Sequence, residues 1–290
     1  MAPPSVADPR LATRVATAVV ILVVLVAMLF FAPPALWTLF MLAIALLACW
    51  EWSRLCGLAP RVEAAYQLAS GALGAVFWVM AVMQADAAFT AAASTAFILA
   101  TAFWILAAPL WLVRRLRPSP VVCAASGWLV VWPTWFAFVV LREWSPWLLL
   151  AVAALVWVAD IAAYFAGRRF GRHKLAPAVS PGKTWEGVAG ALAGVAVYGV
   201  ALSWIAHAQS TPLSAVFESA LGVPVVAAML GLAALSVVGD LLESWMKRGA
   251  GVKDSSALLP GHGGVLDRID ALTSTLPVAA LALSLRVGGP

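Results

Sequence analysis

Apolar runs of about 20 residues recur along the whole chain, and this feature limits the fold more than any other. A helix of about that length crosses the hydrocarbon core of a bilayer and pairs its backbone N–H and C=O groups internally. Of the 290 residues, 64% are hydrophobic and 11% are charged, and the mean hydropathy is +0.98. Since a soluble domain has about 25% charged residues, the sequence predicts an all-α polytopic integral membrane protein.

The apolar runs predict about nine transmembrane helices. A short interfacial helix is also expected near 212–220, between the seventh and eighth spans. The spans are expected at 14–32, 35–52, 65–83, 89–113, 120–141, 147–166, 185–207, 222–244 and 269–286.

Basic residues determine the predicted orientation. With the N-terminus in the cytoplasm, all of the 18 lysines and arginines except Arg142 and Arg286 fall on the cytoplasmic side. This bias follows the positive-inside rule and predicts a C-terminus outside and two polar loops, 167–184 and 245–268, that face the cytoplasm. The positive-inside rule accounts for the basic residues behind the net charge of +5, so we expect no nucleic-acid partner. Short loops and the lack of a targeting segment predict the bacterial inner membrane.

Polar residues divide the chain into two regions. Residues 1–145 contain about five predicted spans and no polar cluster, which predicts a transmembrane scaffold. Residues 146–290 contain both polar loops, which predicts the catalytic region. Small residues at Gly71–Gly74 and Gly190–Gly194 predict close helix contacts.

Carboxylates in the apolar spans are the first candidate site residues, because an ionisable group in a membrane is costly and usually functional. Asp160 lies in the sixth span, and Asp240 lies in the eighth, where Lys247 shares its helix face. Asp267 and Asp270 begin the ninth span. Either these acids neutralise neighbouring arginines, or they hold Mg²⁺, which often takes one or two carboxylates together with substrate phosphates.

A second cluster, formed by Ser180, Lys183 and Thr184, immediately precedes a predicted helix. Helix N-termini bind anions, and Gly182 allows a close approach of the backbone to a ligand. The spacing is not that of a P-loop. The cluster therefore predicts either a phosphate site or a basic loop that binds lipid headgroups.

The third cluster is the loop 245–268, in which glycines surround His262. Its cations, Lys247, Lys253, Arg248 and Arg268, could contact phosphates or water. Together the clusters predict Mg²⁺-dependent phosphoryl or nucleotidyl transfer from a soluble, phosphate-rich substrate of the cytoplasm to a lipid.

The run "SWMKRGAGVKDSSALLPGHGGVLDRID" resembles the signature of the phosphatidate cytidylyltransferases, also called CDP-diacylglycerol synthases. Upstream, "DIAAYFAGRRFG" from Asp160 and "SPGKTWEG" from Ser180 are also similar to that family, whereas the N-terminal half carries no matching motif. The fixed positions of the signature are matched at Ser244, Lys247, Arg248, Lys253, Asp254, Ser256, His262, Gly263, Gly264, Asp267, Arg268 and Asp270.

The resemblance implies the reaction of CTP with phosphatidate to give CDP-diacylglycerol and pyrophosphate. It also implies Mg²⁺, with a second, monovalent ion such as K⁺, and a homodimer. The expected partners are CTP, phosphatidate, membrane lipids and a second copy of the chain. Asp240 and Asp267 are the implied metal ligands, and Asp270 is a further candidate.

The remaining roles are predictions for named side chains. The predicted catalytic residues are Asp240, Asp267, Lys247, Lys253 and His262. The predicted substrate-binding residues are Ser180, Lys183, Thr184, Ser244, Arg248, Asp254, Gly263, Gly264, Arg268 and Asp160.

Three alternatives remain open from the sequence. The same chemistry could act on a different lipid phosphate. A cation-coupled transporter could use Asp160, Asp240 and Asp267 as an ion pathway, although transporters place such charges near the bilayer midplane and often show repeated halves. A non-catalytic scaffold would not need so many matched polar and glycine positions.

Overall fold

The structure, a computed structural model, describes residues 9–83, 85–209 and 223–287. This part of the chain forms long helices joined by short loops, with one small antiparallel hairpin. The helices are α1 Pro9–Phe31, α2 Pro34–Leu55, α3 Pro60–Val82, α4 Asp86–Arg114, α5 Pro120–Trp144, α6 Pro146–Phe170, α7 Trp185–Gln209, α8 Val223–Gly249 and α9 Leu266–Val287, and the strands are β1 Lys174–Ala176 and β2 Ser180–Thr184.

The predicted all-α polytopic membrane fold is confirmed. Within the described residues, 8 helices, α2 to α9, are long and apolar enough to cross a membrane. Helix α1 contributes a shorter apolar stretch, Val15–Phe31. Each predicted span overlaps one of these helices, whereas the number of crossings and the orientation stay predictions. The interfacial helix expected near 212–220 lies outside the described residues.

Proline sets the start of several helices. Helices α2, α3, α5 and α6 each begin at a proline, namely Pro34, Pro60, Pro120 and Pro146. Proline suits the first position because its fixed φ is helical and the N–H that it lacks would have no partner within the helix. Each of these helices therefore starts soon after the preceding one ends, and the connections between them are short.

Helix α5 lies at the centre of the bundle, and 78% of its apolar window is buried. It packs against α2, α4, α6 and α9. Indole hydrogen bonds fix it to α2: Trp37 Nε1 donates to the carbonyl of Phe138 at 3.1 Å, and Trp52 Nε1 donates to that of Cys123 at 2.8 Å. In lipid such buried polar contacts hold helices in register.

The cysteines show no disulfide spacing in the sequence, and we expect them to act as small apolar packing residues. This expectation is correct for Cys49, which is buried and free. It is wrong for Cys56 and Cys123, which form a disulfide between the end of α2 and the start of α5, with their Cα atoms 5.6 Å apart. The two cysteines are distant in sequence and meet only because α2 and α5 pack together.

Arg142, which the predicted topology places on the side of the membrane opposite the cytoplasm, has a structural role. Its Nε donates to the carbonyl of Leu29 at 2.9 Å, and its Nη2 donates to that of Ala32. The guanidinium carbon also lies 5.2 Å from the centroid of the Trp37 ring. These carbonyls at the end of α1 have no partner within that helix, so a cation there is stabilising.

Helices α6 and α7 pack closely, as the small residues predict. A Cβ at Gly194 would lie 2.6 Å from the Cβ of Ala162, and one at Gly190 would overlap that of Ala166. Gly74 likewise packs against Leu42 and the ring of Trp132. Glycine is therefore required where these helices meet.

We expect Gly190→Val to lower the free energy of unfolding by about 1–3 kcal/mol, because the added methyl groups must separate α6 from α7. Gly231→Val is the matched control, since a Cβ at Gly231 has nothing within 4 Å. The measurement is thermal unfolding of the purified variants in detergent. Equal melting temperatures for the two variants would contradict the close contact.

Candidate active site

A cavity of 490 Å³ opens between α6, α7, α8 and the β1–β2 hairpin. Five of the predicted site residues line it, although they come from three separate stretches of sequence. Of the carboxylates that the sequence predicts to converge from three helices, Asp160 and Asp240 line this cavity, whereas Asp267 and Asp270 do not. These residues are Asp160, Ser180, Lys183, Thr184 and Asp240.

The hairpin positions Lys183 over this cavity. Strands β1 and β2 are antiparallel, with Lys174 opposite Thr184. Thr184 is buried, and its Oγ1 accepts a hydrogen bond from the backbone N–H of Gly187 at 3.1 Å, which caps the first turn of α7. Helix α7 begins at Trp185, so the prediction that a helix follows this cluster is confirmed.

An ion pair joins the hairpin to α8 inside the cavity. Lys183 Nζ lies 2.5 Å from Asp240 Oδ2, and Ser244 Oγ donates to Asp240 Oδ1 at 3.2 Å. Asp160 lies close enough to interact electrostatically with both Lys183 and Asp240. On the same face of α6, Tyr164 also lines the cavity. One acid thus pairs with the ammonium group of Lys183, and a second acid lies nearby, beside a space large enough for a ligand.

A second ionic cluster lies farther along α8. Lys247 Nζ is 2.6 Å from Glu243 Oε2 and 2.6 Å from Asp267 Oδ1. All of these side chains are at most 12% exposed. Asp270 of α9 interacts electrostatically with Asp240 and with Glu243 and Lys247 of this cluster. Lys247 is therefore placed as a bridge between α8 and the start of α9.

Asp267 organises the loop that precedes α9. Its Oδ2 accepts hydrogen bonds from the N–H of Ser255 at 2.9 Å, the hydroxyl of Ser255 at 2.9 Å and the N–H of Gly264 at 2.7 Å. Gly263 has φ +82°, and a Cβ there would lie 2.6 Å from Asp267 Oδ2. The adjacent glycines of the signature thus let the loop close around a carboxylate.

Sequence reasoning missed one residue of this region, Glu51 of α2, which is 0% exposed. Its Oε1 accepts from Ser256 Oγ at 2.6 Å and from the N–H of Val265 at 2.9 Å. Its Oε2 accepts from Ser255 Oγ at 2.9 Å and from the N–H of Leu266 at 2.7 Å. A lone acid inside the apolar run "ACWEWSRL" was the signal that could have found it.

The other predicted residues of the loop lie on its outer face. Lys253, Asp254, Arg248 and Arg268 are exposed. His262 turns back on its own loop, with Nδ1 3.4 Å from the carbonyl of Pro260. The structure does not bring these side chains into the carboxylate clusters, and it leaves the cations accessible to a soluble anion.

The donor set of the site is compatible with a divalent cation. Asp240 and Asp267 each already hold a lysine ammonium group at contact distance. The buried Oε1 of Glu243 has no hydrogen-bond partner. Within the described part of the chain, no group of three or more His, Cys, Asp or Glu side chains could by itself enclose a metal. This arrangement suits an ion that takes one or two protein carboxylates and further oxygens from substrate phosphates.

Comparison with known proteins agrees with the chemistry of the site. The model of the cytidylyltransferase family matches residues 12–286. The chain belongs to this family. A relative in Pseudomonas aeruginosa, named phosphatidate cytidylyltransferase, is 39% identical over 279 residues, which cover 93% of this chain and 96% of that protein. The resemblance inferred from the signature is therefore confirmed, and so is the assignment as a nucleotidyltransferase.

Shorter matches to other members of the cytidylyltransferase family carry the same name. The phosphatidate cytidylyltransferase of Haemophilus influenzae is 52% identical over 130 residues, which cover 45% of this chain and 43% of that protein. The phosphatidate cytidylyltransferase of Thermotoga maritima is 39% identical over 139 residues, which cover 48% of this chain and 50% of that protein.

Proposed function

We propose that the protein transfers CMP from CTP to phosphatidate, with CDP-diacylglycerol and pyrophosphate as the products. The observation that carries this proposal is the cavity in which Lys183 and Asp240 pair beside membrane-spanning helices. Such a place is accessible to a lipid headgroup and to a soluble nucleotide. The names of the relatives, together with membership of the cytidylyltransferase family, support CTP and phosphatidate as the two substrates.

The reaction needs little acid–base help from the protein. An oxygen of the phosphatidate phosphate attacks the α-phosphorus of CTP, and the bond from that phosphorus to the bridging oxygen of the β-phosphate breaks. The electron pair leaves with pyrophosphate. A phosphate monoester is largely dianionic near neutral pH because its second pKa is about 6. The work of the protein is therefore to align two anions and to neutralise their charge.

The geometry divides this work between two groups of side chains. Ser180 and Lys183 line the cavity between the membrane helices, and we assign them to the lipid phosphate or the leaving pyrophosphate. Arg248 and Lys253 lie exposed at the mouth of the loop, and we assign them to the phosphates of CTP. Lys247 lies between two acids, so it acts by holding Asp267 in place.

Mg²⁺ is part of the proposal, with Asp240, Asp267 and Asp270 as its ligands and K⁺ as a candidate second ion. When bound, Mg²⁺ would supply positive charge to the triphosphate. The carboxylates that hold it are themselves fixed by Ser244, Ser255 and the start of α9. We further propose a homodimer in the bacterial inner membrane, with the cavity facing the cytoplasm.

The decisive experiment is pyrophosphate release by the purified protein in detergent. CTP, ATP, GTP and UTP would each be supplied with and without phosphatidate and with and without Mg²⁺. We expect release only when CTP, phosphatidate and Mg²⁺ are present together. Release with an ether-linked lipid phosphate and not with phosphatidate would instead identify a different acceptor. No release in any combination, from protein shown to be folded, would contradict the proposed reaction and favour a different lipid acceptor or a family member without activity.

A further inference from the structure

The first observation is that the Glu51 carboxylate accepts hydrogen bonds from Ser255, Ser256, Val265 and Leu266, which belong to the loop before α9 and to the first residue of α9. Glu51 lies in α2, more than two hundred residues earlier in the sequence. Each carboxylate oxygen accepts from one backbone N–H. Oε1 also accepts from the Ser256 hydroxyl, and Oε2 shares the single hydroxyl hydrogen of Ser255 with Asp267 Oδ2. A single side chain of the N-terminal region therefore binds the loop that leads into α9.

The second observation concerns charge. A buried carboxylate is costly unless hydrogen bonds or charges compensate it. In the described part of the chain no lysine or arginine forms an ion pair with Glu51. Its partners include the N–H groups of Val265 and Leu266 at the start of α9, where the helix dipole favours a negative charge. The loop itself therefore stabilises the carboxylate, and the carboxylate fixes the loop.

The third observation connects Glu51 to the ionic cluster. Ser255 Oγ lies 2.9 Å from Glu51 Oε2 and 2.9 Å from Asp267 Oδ2. Gly264 leaves no room for a Cβ between Ser255 and Glu51. A shift of the Glu51 side chain would therefore move Ser255 and, through it, Asp267.

We infer that Glu51 is a positioning residue for the transfer reaction. It holds the loop Ser255–Val265 and the start of α9 so that Asp267 faces Lys247 beside the cavity. The N-terminal region thereby contributes to the active site. This inference rests on the proposed function for its kinetic test, whereas its structural test is independent of activity.

Glu51→Gln is the sharpest variant because it nearly preserves shape. The serine hydroxyls can rotate to accept from the new amide group. The N–H groups of Val265 and Leu266 cannot rotate, and each faces a different oxygen of Glu51. Either orientation of the glutamine therefore places its NH₂ against one backbone N–H. One hydrogen bond at the start of α9 must be lost.

We expect Glu51→Gln to reduce kcat/KM for CTP by about tenfold or more, as for a buried donor left without its partner. The KM for phosphatidate should change less than twofold, because Ser180 and Lys183 line a cavity that Glu51 does not touch. Ser256→Ala, which removes a single donor, should cause a smaller loss in the same direction. Glu63→Gln in the first turn of α3 is the matched control and should behave as the unmodified protein.

The outcomes separate this inference from the proposed function. Hydrogen exchange should accelerate at Val265 and Leu266 in Glu51→Gln and remain unchanged in Glu63→Gln, whether or not the protein consumes CTP. Unchanged exchange would overturn the inference. An equal rise in the KM for CTP and the KM for phosphatidate would also overturn it, because the effect would then extend to the cavity that Glu51 does not touch.

Discussion

Asp240→Asn is expected to reduce the rate of the proposed CDP-diacylglycerol formation by about a hundredfold or more while the protein stays folded. Asparagine keeps the size of the side chain and can still accept from Ser244 Oγ. It removes the negative charge that pairs with Lys183 at 2.5 Å and with any cation in the cavity. Since the reaction depends on placing charges around two anions, the effect should fall on kcat rather than on stability.

Two control variants separate the loss of the Asp240 charge from a general effect of substitution. Asp86→Asn changes an exposed acid in the first turn of α4 and should leave the rate unchanged. Ser244→Ala keeps the charge of Asp240 and removes one donor to it, so we expect a loss of only a few-fold. The measurement is the initial rate with saturating CTP and phosphatidate, beside thermal unfolding in detergent. A rate within a few-fold of the unmodified protein would remove Asp240 from the reaction.

Binding of Mn²⁺, followed by its electron paramagnetic resonance signal, tests the metal assignment without turnover. We expect Asp240→Asn to weaken Mn²⁺ binding in the presence of CTP, because one of the proposed carboxylate ligands becomes neutral. Asp86→Asn should bind Mn²⁺ as the unmodified protein does. Unchanged Mn²⁺ binding in Asp240→Asn would show that Asp240 is not a metal ligand and acts only as the ion-pair partner of Lys183.

The helices and the convergence of the acids could be predicted because both depend on local spacing. Apolar runs predict the helices, and the helical period places Lys247 on the same face as Asp240, two turns farther along. The short hairpin could not be predicted from "SPGKT", because its pairing with Lys174–Ala176 is made across a turn between short polar segments. The disulfide and the bonds of Glu51 join residues far apart in sequence, so only the packing of α2 against its neighbours creates them.

The two lysines of the signature also show the limit of sequence reasoning. Lys247 and Lys253 both appear as phosphate-binding cations in a polar loop. In the structure Lys247 is bonded to two acids, whereas Lys253 is exposed. Burial depends on how α8 meets α9, and a motif does not encode that contact. Two lysines of one motif can therefore differ completely in surroundings, one buried in an ionic cluster and the other open to solvent.

Lys247→Met should lower the free energy of unfolding by about 3–5 kcal/mol, because it leaves two buried acids without their cation. Adding Glu243→Gln should recover part of this loss, since one of the unpaired charges is then removed. Lys253→Met should leave stability unchanged and raise the KM for CTP. The measurement is thermal unfolding in detergent, beside steady-state kinetics, with the exposed Lys174→Met as the control.

The comparison of Lys247→Met with the double variant decides between the two roles of Lys247. If Lys247 mainly balances Glu243 and Asp267, the two substitutions are coupled, and the double variant is more stable than Lys247→Met alone. If Lys247 mainly binds the triphosphate, Lys247→Met melts near the unmodified protein and loses affinity for CTP, as Lys253→Met should. Ion pairs of 2.6 Å to side chains that are 3% and 5% exposed favour the first result. The two acids already take two of the three N–H donors of Lys247, so this ammonium group has little capacity left for a triphosphate.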